Sequence, residues 1–267
     1  MQTSTIICDA HVHIYPQFDF NVAFDFSIKN FKAIIKNQKL LHDTIAVWLL
    51  TEGQQFNFFS KPPALPGYQI EKTPEKESLV VVDSTTGKKV LYILAGRQIV
   101  SSDKLEICAL GTTAVLPDRE MNTQDTITWV LEHDGVPALN WAPGKWFFSR
   151  GKIVNSVIDN NSPEQLLISE TTMRPTCWST PVLMKKALNK GMKVLAGSDP
   201  LPLPGEEKLL ATYASIMSGS FDPANPAKSI KSLLLNPGAS IQNTGKRSGL
   251  VAFAKRQYGI MRYNKKK

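Results

Sequence analysis

The sequence has few cysteines, few histidines and no long hydrophobic run. It contains three cysteines and four histidines among 267 residues, and no Cys-x-x-Cys pair. The longest apolar stretch, Ile45–Leu50, is far shorter than the ~20 residues that cross a bilayer. The first residues show no basic segment followed by an apolar one. These absences exclude a disulfide framework, and we expect a cytoplasmic protein with reduced thiols.

The net charge of +8 favours anionic partners. Part of this charge lies in the C-terminal segment, residues 237–267, which ends on Lys265, Lys266 and Lys267. A basic terminus is commonly a solvated tail, and the sequence has no basic surface interleaved with aromatic residues of the kind that binds nucleic acid. We therefore expect a small anionic ligand, no nucleic acid and no membrane partner. The oligomeric state stays open.

Short apolar runs alternate with longer segments of helical periodicity, which predicts a succession of strands and helices. The predicted strands are 6–9, 44–51, 105–110, 136–141, 166–170 and 193–197. The predicted helices are 24–41, 123–133, 153–160, 180–190, 206–217 and 226–235. Between residues 79 and 104, three strand-like runs separated by turn residues predict a small inserted β-meander.

This alternation fits either a closed barrel or a doubly wound sheet. No Gly-x-Gly-x-x-Gly follows a predicted strand, which disfavours a nucleotide-binding sheet. Polar residues follow several strands instead, as at Glu52, Asn140, Glu170 and Asp199. Several strand ends that supply one site are typical of a barrel. We therefore predict an α/β protein with one TIM-like barrel domain over residues 1–267.

The segment Asp9-Ala10-His11-Val12-His13 places two of the four histidines two residues apart, directly after an apolar run. In a strand, residues i and i+2 point to the same face, so we expect Asp9, His11 and His13 to project together and the imidazoles to bind one cation. Asp199 follows another predicted strand and precedes three closely spaced prolines, which fix the direction of the chain. The alternatives are two solvated histidines and an aspartate that only stabilises a turn.

Two basic loops follow predicted strands. Trp141, Lys145 and Arg150 lie in one loop, and Arg174 lies in another. Arginine binds phosphate or carboxylate in a bidentate manner, and tryptophan supplies a wall for an apolar or planar group. These residues predict an anion clamp; the alternative is that the cations are solvated and the tryptophan belongs to the core.

With these residues in view, the chain resembles the polymerase and histidinol phosphatase (PHP) family of metal-dependent phosphoesterases. The segment 9–13 matches the opening metal motif of that family, the segments 96–100 and 106–111 its second block, and Gly197-Ser198-Asp199 its closing motif. The resemblance implies a distorted (β/α)7 TIM-like barrel and hydrolase chemistry. The chain is also similar to mononuclear members of the amidohydrolase superfamily.

The chain departs from the family pattern at several metal positions. Family ligands are replaced by Gln98, Cys108, Trp141 and Leu201. Glutamine offers only a neutral oxygen, tryptophan only an N–H donor, and leucine nothing. The residues that remain for a metal are His11, His13 and Asp199, with Glu170 as a fourth or flanking ligand. This set suits one divalent ion, zinc, manganese or iron.

These observations predict a metal-dependent hydrolase of the phosphoesterase or amidohydrolase type, which acts on a small anionic substrate through one metal-activated water. Asp199 or Glu170 is the expected general base. The expected substrate-binding residues are Trp141, Lys145, Arg150 and Arg174. The alternative is a catalytically inactive protein of the same scaffold that binds a small anionic ligand.

Overall fold

The fold is built on two β-sheets and the helices that cover them. The computed structural model describes residues 3–53 and 55–265. The strands within these ranges are β1 (Thr3–Val12), β2 (Ile45–Leu50), β3 (Tyr68–Lys72), β4 (Ser78–Asp83), β5 (Lys89–Leu94), β6 (Gly96–Val100), β7 (Glu106–Leu110), β8 (Val136–Asn140), β9 (Leu167–Thr171), β10 (Val194–Gly197), β11 (Tyr213–Ser220) and β12 (Ile241–Gly245). The helices are α1 (Phe20–Asn37), α2 (Thr123–Glu132), α3 (Phe148–Asn160), α4 (Val182–Asn189), α5 (Pro226–Leu235) and α6 (Leu250–Asn264). None of the helices in these ranges combines the length and apolar character needed to cross a membrane.

The predicted (β/α)7 TIM-like barrel is wrong. The strands form a seven-stranded sheet, in the order β12-β11-β1-β2-β5-β4-β3, and a five-stranded sheet, in the order β10-β9-β8-β7-β6. Six of the ten strand pairs are antiparallel, whereas all neighbouring strands of a (β/α) barrel are parallel. The protein therefore has a mixed α/β fold with two unclosed sheets.

The prediction of a small inserted β-meander is also wrong. All three strand-like runs form strands, β4, β5 and β6, but they do not form a separate unit. β5 pairs with β2 inside the seven-stranded sheet, and β6 is the edge strand of the other sheet. Local turn residues signal the ends of these strands, but they carry no information about partners that are distant in the sequence.

The helix predicted at 206–217 is wrong as well. Only Glu206–Leu209 is helical, as a short 3₁₀ turn. The backbone of Ala211 is left-handed, with φ at 61°, and the chain then continues as β11 between β1 and β12. The C-terminal segment 237–267 contains β12 and α6, while Lys266 and Lys267 lie outside the described residues.

The predictions of α2 and α5 are confirmed, and local sequence signals fix where these two helices begin. Asn122 caps α2, since its side chain accepts a hydrogen bond from the N–H of Asp125 at 2.8 Å. Pro226 occupies the first position of α5, where its missing N–H has no consequence for helix hydrogen bonding. The helices predicted at 123–133 and 226–235 therefore agree with α2 and α5 to within one residue.

The core consists of three apolar layers. α1 packs on the outer face of the seven-stranded sheet, with Phe24 against Trp48 at a ring separation of 4.9 Å. α2, α3 and α4 cover the outer face of the five-stranded sheet. Between the sheets, side chains from β1, β2 and β5 pack against side chains from β7, β8, β9 and β10. The strand ends are thereby held in fixed positions relative to one another.

The two sheets meet at the carboxyl ends of their strands. On one side, the N–H of Asp199, just after β10, donates to the carbonyl of His11 in β1 at 2.9 Å. On the other side, Glu52, after β2, shares backbone hydrogen bonds with Gly96 and Gln98 of β6 at 3.1 and 3.0 Å. The ends of β1, β2 and β10 and the start of β6 therefore lie close together.

Gly197 permits the close approach of β10 to β1. A Cβ atom at this position would lie 2.3 Å from the Cβ of His11 and 2.4 Å from its backbone nitrogen. Carbon atoms pack best at roughly 3.5–4.0 Å, so any side chain here would push β10 away from β1. Glycine is therefore required where β10 passes His11.

We expect Gly197→Ala to lower the free energy of unfolding by about 2–3 kcal/mol, because the added methyl group overpacks the contact with His11. Gly67→Ala is the matched control, since no atom lies within 4 Å of a Cβ there. It should change stability by less than about 0.5 kcal/mol. Urea denaturation measures both variants, and equal stabilities would contradict the close contact between β1 and β10.

Candidate metal centre

Three side chains converge at the carboxyl ends of β1 and β10: the ligand trio of His11, His13 and Asp199. The Nε2 atoms of the two histidines are 3.1 Å apart. Oδ1 of Asp199 lies 3.7 Å from Nε2 of His11 and 3.6 Å from Nε2 of His13. Both histidines are buried and the aspartate is nearly so. The structure thus brings together two neighbouring residues and a third from a distant part of the chain.

The ligand trio fits a divalent metal ion. The point that lies in the plane of these three atoms and is equidistant from them is about 2.0 Å from each. This distance is the length of Zn–N and Zn–O bonds in proteins. Two imidazoles and a carboxylate are ligands of catalytic zinc, and they also suit iron or manganese. The cluster is therefore compatible with one ion in both donor chemistry and spacing.

A β-bulge in β1 aims the two histidines into the site. Between Asp9 and Val12, β1 advances three residues while its partner β2 advances only two. An extra residue of this kind changes which side chains face each side of the sheet. Asp9 therefore does not project with His11 and His13, and the expectation that all three share a face is wrong.

Asp9 instead joins three segments of backbone. Its carboxylate accepts hydrogen bonds from the N–H and hydroxyl of Ser198 at 2.8 and 2.5 Å, from the N–H of Ala211 at 2.8 Å, and from the N–H of His11 at 3.3 Å. Burial raises the pKa of Asp9 to about 6, although these hydrogen bonds oppose the shift. Asp9 thereby fixes Ser198, the residue directly before Asp199.

The second ring nitrogen of His11 is held by two polar side chains. Nδ1 lies 3.1 Å from Oγ of Ser169 in β9 and 3.5 Å from Sγ of Cys108 in β7. A proton on Nδ1 that is donated to Ser169 leaves the Nε2 lone pair available for a cation. Oε1 of Gln98 lies 3.0 Å from this Nε2 and adds a neutral oxygen at the same point.

Asp199 has a left-handed backbone with φ at 49°, which is uncommon for a residue with a side chain. Hydrogen bonds on both sides hold this conformation. Its N–H donates to the carbonyl of His11 at 2.9 Å, and its carbonyl accepts from Nη2 of Arg256 at 2.7 Å. Strained backbone of this kind clusters at functional sites.

When no cation is bound, the pKa values of the three residues of the trio shift in different directions. Burial opposes a positive charge on His11, but the neighbouring Cys108 and Asp199 outweigh this effect and raise the pKa of His11. Burial and the charge of His11 lower the pKa of His13 to about 4. Burial also disfavours a charged Asp199, but the two histidines and Arg256 lower its pKa. A metal ion would therefore replace a proton on His11.

A cavity of about 420 Å³ opens beside the trio, a size that suits a small-molecule ligand. Its polar lining consists of His13, Gln98, Glu106, Asn140, Lys145, Asp199, Gln257 and Asn264. Its apolar and aromatic lining includes Tyr15, Phe56, Leu201, Pro202, Ile260 and Tyr263. The cavity thus has polar walls at the strand ends, apolar walls from the loops, and both polar and apolar side chains from α6.

Lys145 lines this cavity and forms an ion pair with Glu106. Nδ2 of Asn140 donates to the other oxygen of Glu106 at 3.0 Å. A cation, a carboxylate and an amide therefore lie together beside the ligand trio. Glu106 is held from two sides, which fixes its carboxylate in the cavity wall.

Glu170 and Arg174 bind each other, and neither lines the cavity. Nε of Arg174 donates to Oε1 of Glu170 at 2.8 Å, and Nη1 of Arg247 lies 3.5 Å from the same oxygen. The alternation of side chains in β9 explains this position. Ser169 and Thr171 both contact residues of the ligand trio, so Glu170 between them faces the other side of the sheet.

Of the other predicted substrate-binding residues, some line the cavity and one does not. Trp141 lines the cavity but is fully buried, and its ring packs edge-on against Trp178 at 5.6 Å. Arg150, in the first turn of α3, does not line the cavity; its Nη2 donates to the carbonyl of Gly144 in the preceding loop at 2.9 Å. Of the three predicted cations, the structure therefore brings only Lys145 to the trio.

Two parts of the site are absent from the sequence-based prediction. Glu106 lies two residues before Cys108, whose sulfur contacts His11, so strand alternation could have identified it. No comparable signal marks α6, because the side chains it adds to the cavity, such as Gln257 and Tyr263, are ordinary surface residues. Its contribution depends entirely on tertiary packing.

Arg256 anchors α6 to the site and is the buried residue of that helix. Its guanidinium donates to Glu206 through Nε at 2.9 Å, to Oγ1 of Thr172 at 2.7 Å and to the carbonyl of Asp199 at 2.7 Å. The carboxylate of Glu206 in turn accepts from the N–H of Leu201 at 2.9 Å. Arg256 therefore holds the turn that carries Asp199.

No protein-family model and no curated protein sequence matches this chain. The solved structures that are similar to it include the following two. PsfC from Pseudomonas syringae PB-5123 has a TM-score of 0.47 and 11% identity, over 92% of this chain and 93% of PsfC. A two-domain protein from Bacteroides vulgatus ATCC 8482, described as containing a predicted PHP-like metal-dependent phosphoesterase, has a TM-score of 0.46 and 12% identity; the match covers 90% of this chain and 65% of that protein. Both TM-scores lie below 0.5, so these likenesses assign neither a family nor an activity.

We expect Arg256→Lys to weaken zinc binding by about 10–100-fold, because lysine keeps the charge but cannot donate to Glu206, Thr172 and Asp199 at once. Arg262→Lys is the matched control, since Arg262 is an exposed residue of the same helix, and it should bind zinc as the wild type does. Calorimetric titration with zinc measures the affinities. Wild-type affinity in Arg256→Lys would show that the clamp does not position Asp199.

Proposed function

We propose that the protein is a metal-dependent hydrolase of the phosphoesterase or amidohydrolase type that acts on a small anionic substrate. The ligand trio is the observation that carries this proposal, since its three donor atoms have the spacing of metal ligands and lie beside a ligand-sized cavity. Catalytic metal sites combine three protein ligands with a position open to water or substrate. A divalent ion held there would polarise a substrate oxygen and lower the pKa of a water to near neutrality.

Two carboxylates are our candidates for proton transfer. Asp199 belongs to the trio, and Glu106 lines the same cavity, where Asn140 and Lys145 orient it. General acid–base catalysis requires a group within hydrogen-bond reach of the reacting atoms. We assign proton transfer to Asp199 and Glu106 rather than to Glu170, which is paired with an arginine outside the cavity.

The cavity has more negative than positive side chains, so we expect it to bind an anion only when a metal ion is present. Lys145 supplies one positive charge, but Glu106 and Asp199 supply two negative charges. An anionic substrate would therefore meet little attraction from the side chains alone, and a divalent ion would reverse this balance. Lys145 then contributes a second positive group for the substrate.

We expect the metal-free protein to bind one equivalent of zinc or manganese and to hydrolyse chromogenic phosphate esters or amides when it is loaded. Inorganic phosphate should bind only to the loaded form. His13→Ala should weaken metal binding by more than about 100-fold and abolish turnover, because it removes one of three protein ligands. Metal analysis after dialysis and an absorbance assay measure these two effects.

His42→Ala is the matched control, because His42 is an exposed histidine before β2, and it should keep the metal content and activity of the wild type. A protein that stays metal-free and inert after loading with zinc, manganese and iron contradicts the proposal. A protein that binds metal and phosphate but turns over none of the esters or amides would instead be an anion-binding protein.

A further inference from the structure

We propose that the substrate carries an apolar, ring-sized group, which binds in an aromatic groove that adjoins the cavity of the ligand trio. This inference rests on the proposed function and adds a substrate class to it. The class consists of anionic compounds with an aryl or similarly bulky apolar substituent beside the bond that is hydrolysed. The anionic end lies at the trio and the apolar body lies in the groove.

The aromatic groove has a volume of about 310 Å³. Its apolar walls are formed mainly by Ile14, Tyr15, Pro16, Phe20, Phe56 and Phe58. Among the described residues that line it, Lys61 is the one that carries a charge. A space of this composition favours an apolar occupant, since water gains little by filling it.

The groove and the cavity share two of their walls. Tyr15 and Phe56 line both spaces, and their rings form an edge-to-face pair with centroids 5.2 Å apart. The ring of Tyr15 also stacks on His13 with centroids 5.6 Å apart. An unbroken row of rings therefore leads from a residue of the ligand trio into the groove.

The loop that forms the groove is held in place by polar contacts. Arg97 of β6 donates to the carbonyl of Gly53 at 3.5 Å and to Oδ1 of Asn57 at 3.3 Å. The carboxylate of Glu52 accepts from the N–H of Phe59 at 3.3 Å. The groove is thus formed before a ligand binds, which is the usual state of small-molecule sites.

Phe56 and Phe58 differ in what they do for the groove. Phe58 is buried and packs against Phe24 at a ring separation of 6.3 Å, so it belongs to the scaffold. Phe56 is only partly buried and lies on the boundary of the two spaces. Phe56 is therefore the side chain that a bound ring would contact at the entrance to the groove.

The test compares methylphosphonate with benzylphosphonate on the zinc-loaded full-length protein by calorimetric titration. Both probes carry an anionic group that is not hydrolysed, and only one carries a ring. We expect benzylphosphonate to bind about tenfold more tightly, from the apolar surface that the ring buries. Phe56→Ala should reduce this preference to less than about threefold.

Phe148→Ala is the control, since Phe148 is 94% exposed at the start of α3, and it should keep the full preference. If Phe56→Ala does not fold, Phe56→Leu removes the ring and keeps apolar bulk, and its preference should also fall. Equal binding of the two phosphonates by the loaded wild type, or no binding of either, overturns the inference and leaves the metal site intact. Failure to bind zinc overturns the proposed function and this inference with it.

Discussion

The approach of β10 to β1 is the contact on which the site depends. Gly197 lies against the backbone of His11, with no room for a side chain between them. The next two residues exploit this closeness: Ser198 donates two hydrogen bonds to Asp9, and Asp199 donates its N–H to the carbonyl of His11. The three residues Gly197, Ser198 and Asp199 therefore have separate physical roles, which are close approach, attachment and ligation.

The buried polar cluster around His11 is compatible with one bound cation. Two imidazole nitrogens, a carboxylate oxygen and the amide oxygen of Gln98 lie within a few ångströms of one another in a buried position. Without a cation, the raised pKa of His11 favours a proton on its ring, and this positive charge reduces the repulsion among the lone pairs only in part. A divalent ion would satisfy all of these atoms at once, because it binds each lone pair directly. The second layer of contacts, from Ser169, Cys108 and Arg256, holds these atoms in the positions that an ion would require.

The sequence predicts the ligand trio and several elements, but not the architecture. The spacing of His11 and His13 is a local signal, and so are the caps of α2 and α5. The barrel prediction is wrong because β7 and β11 pair antiparallel with neighbouring strands, and strand pairing is set by long-range packing rather than by local periodicity. The face of Asp9 is mispredicted because a β-bulge leaves no mark in the hydrophobic pattern. The contribution of α6 depends on the single buried side chain of Arg256, which resembles any other residue of a basic segment.

X-ray absorption spectroscopy of the zinc-loaded protein is the decisive test of metal binding by the ligand trio, because it reports the atoms bound to the ion. We expect a first shell of nitrogen and oxygen atoms at about 2.0 Å, with the multiple-scattering pattern of two imidazoles. A spectrum without imidazole scattering, or with sulfur at about 2.3 Å from a cysteine, would contradict it.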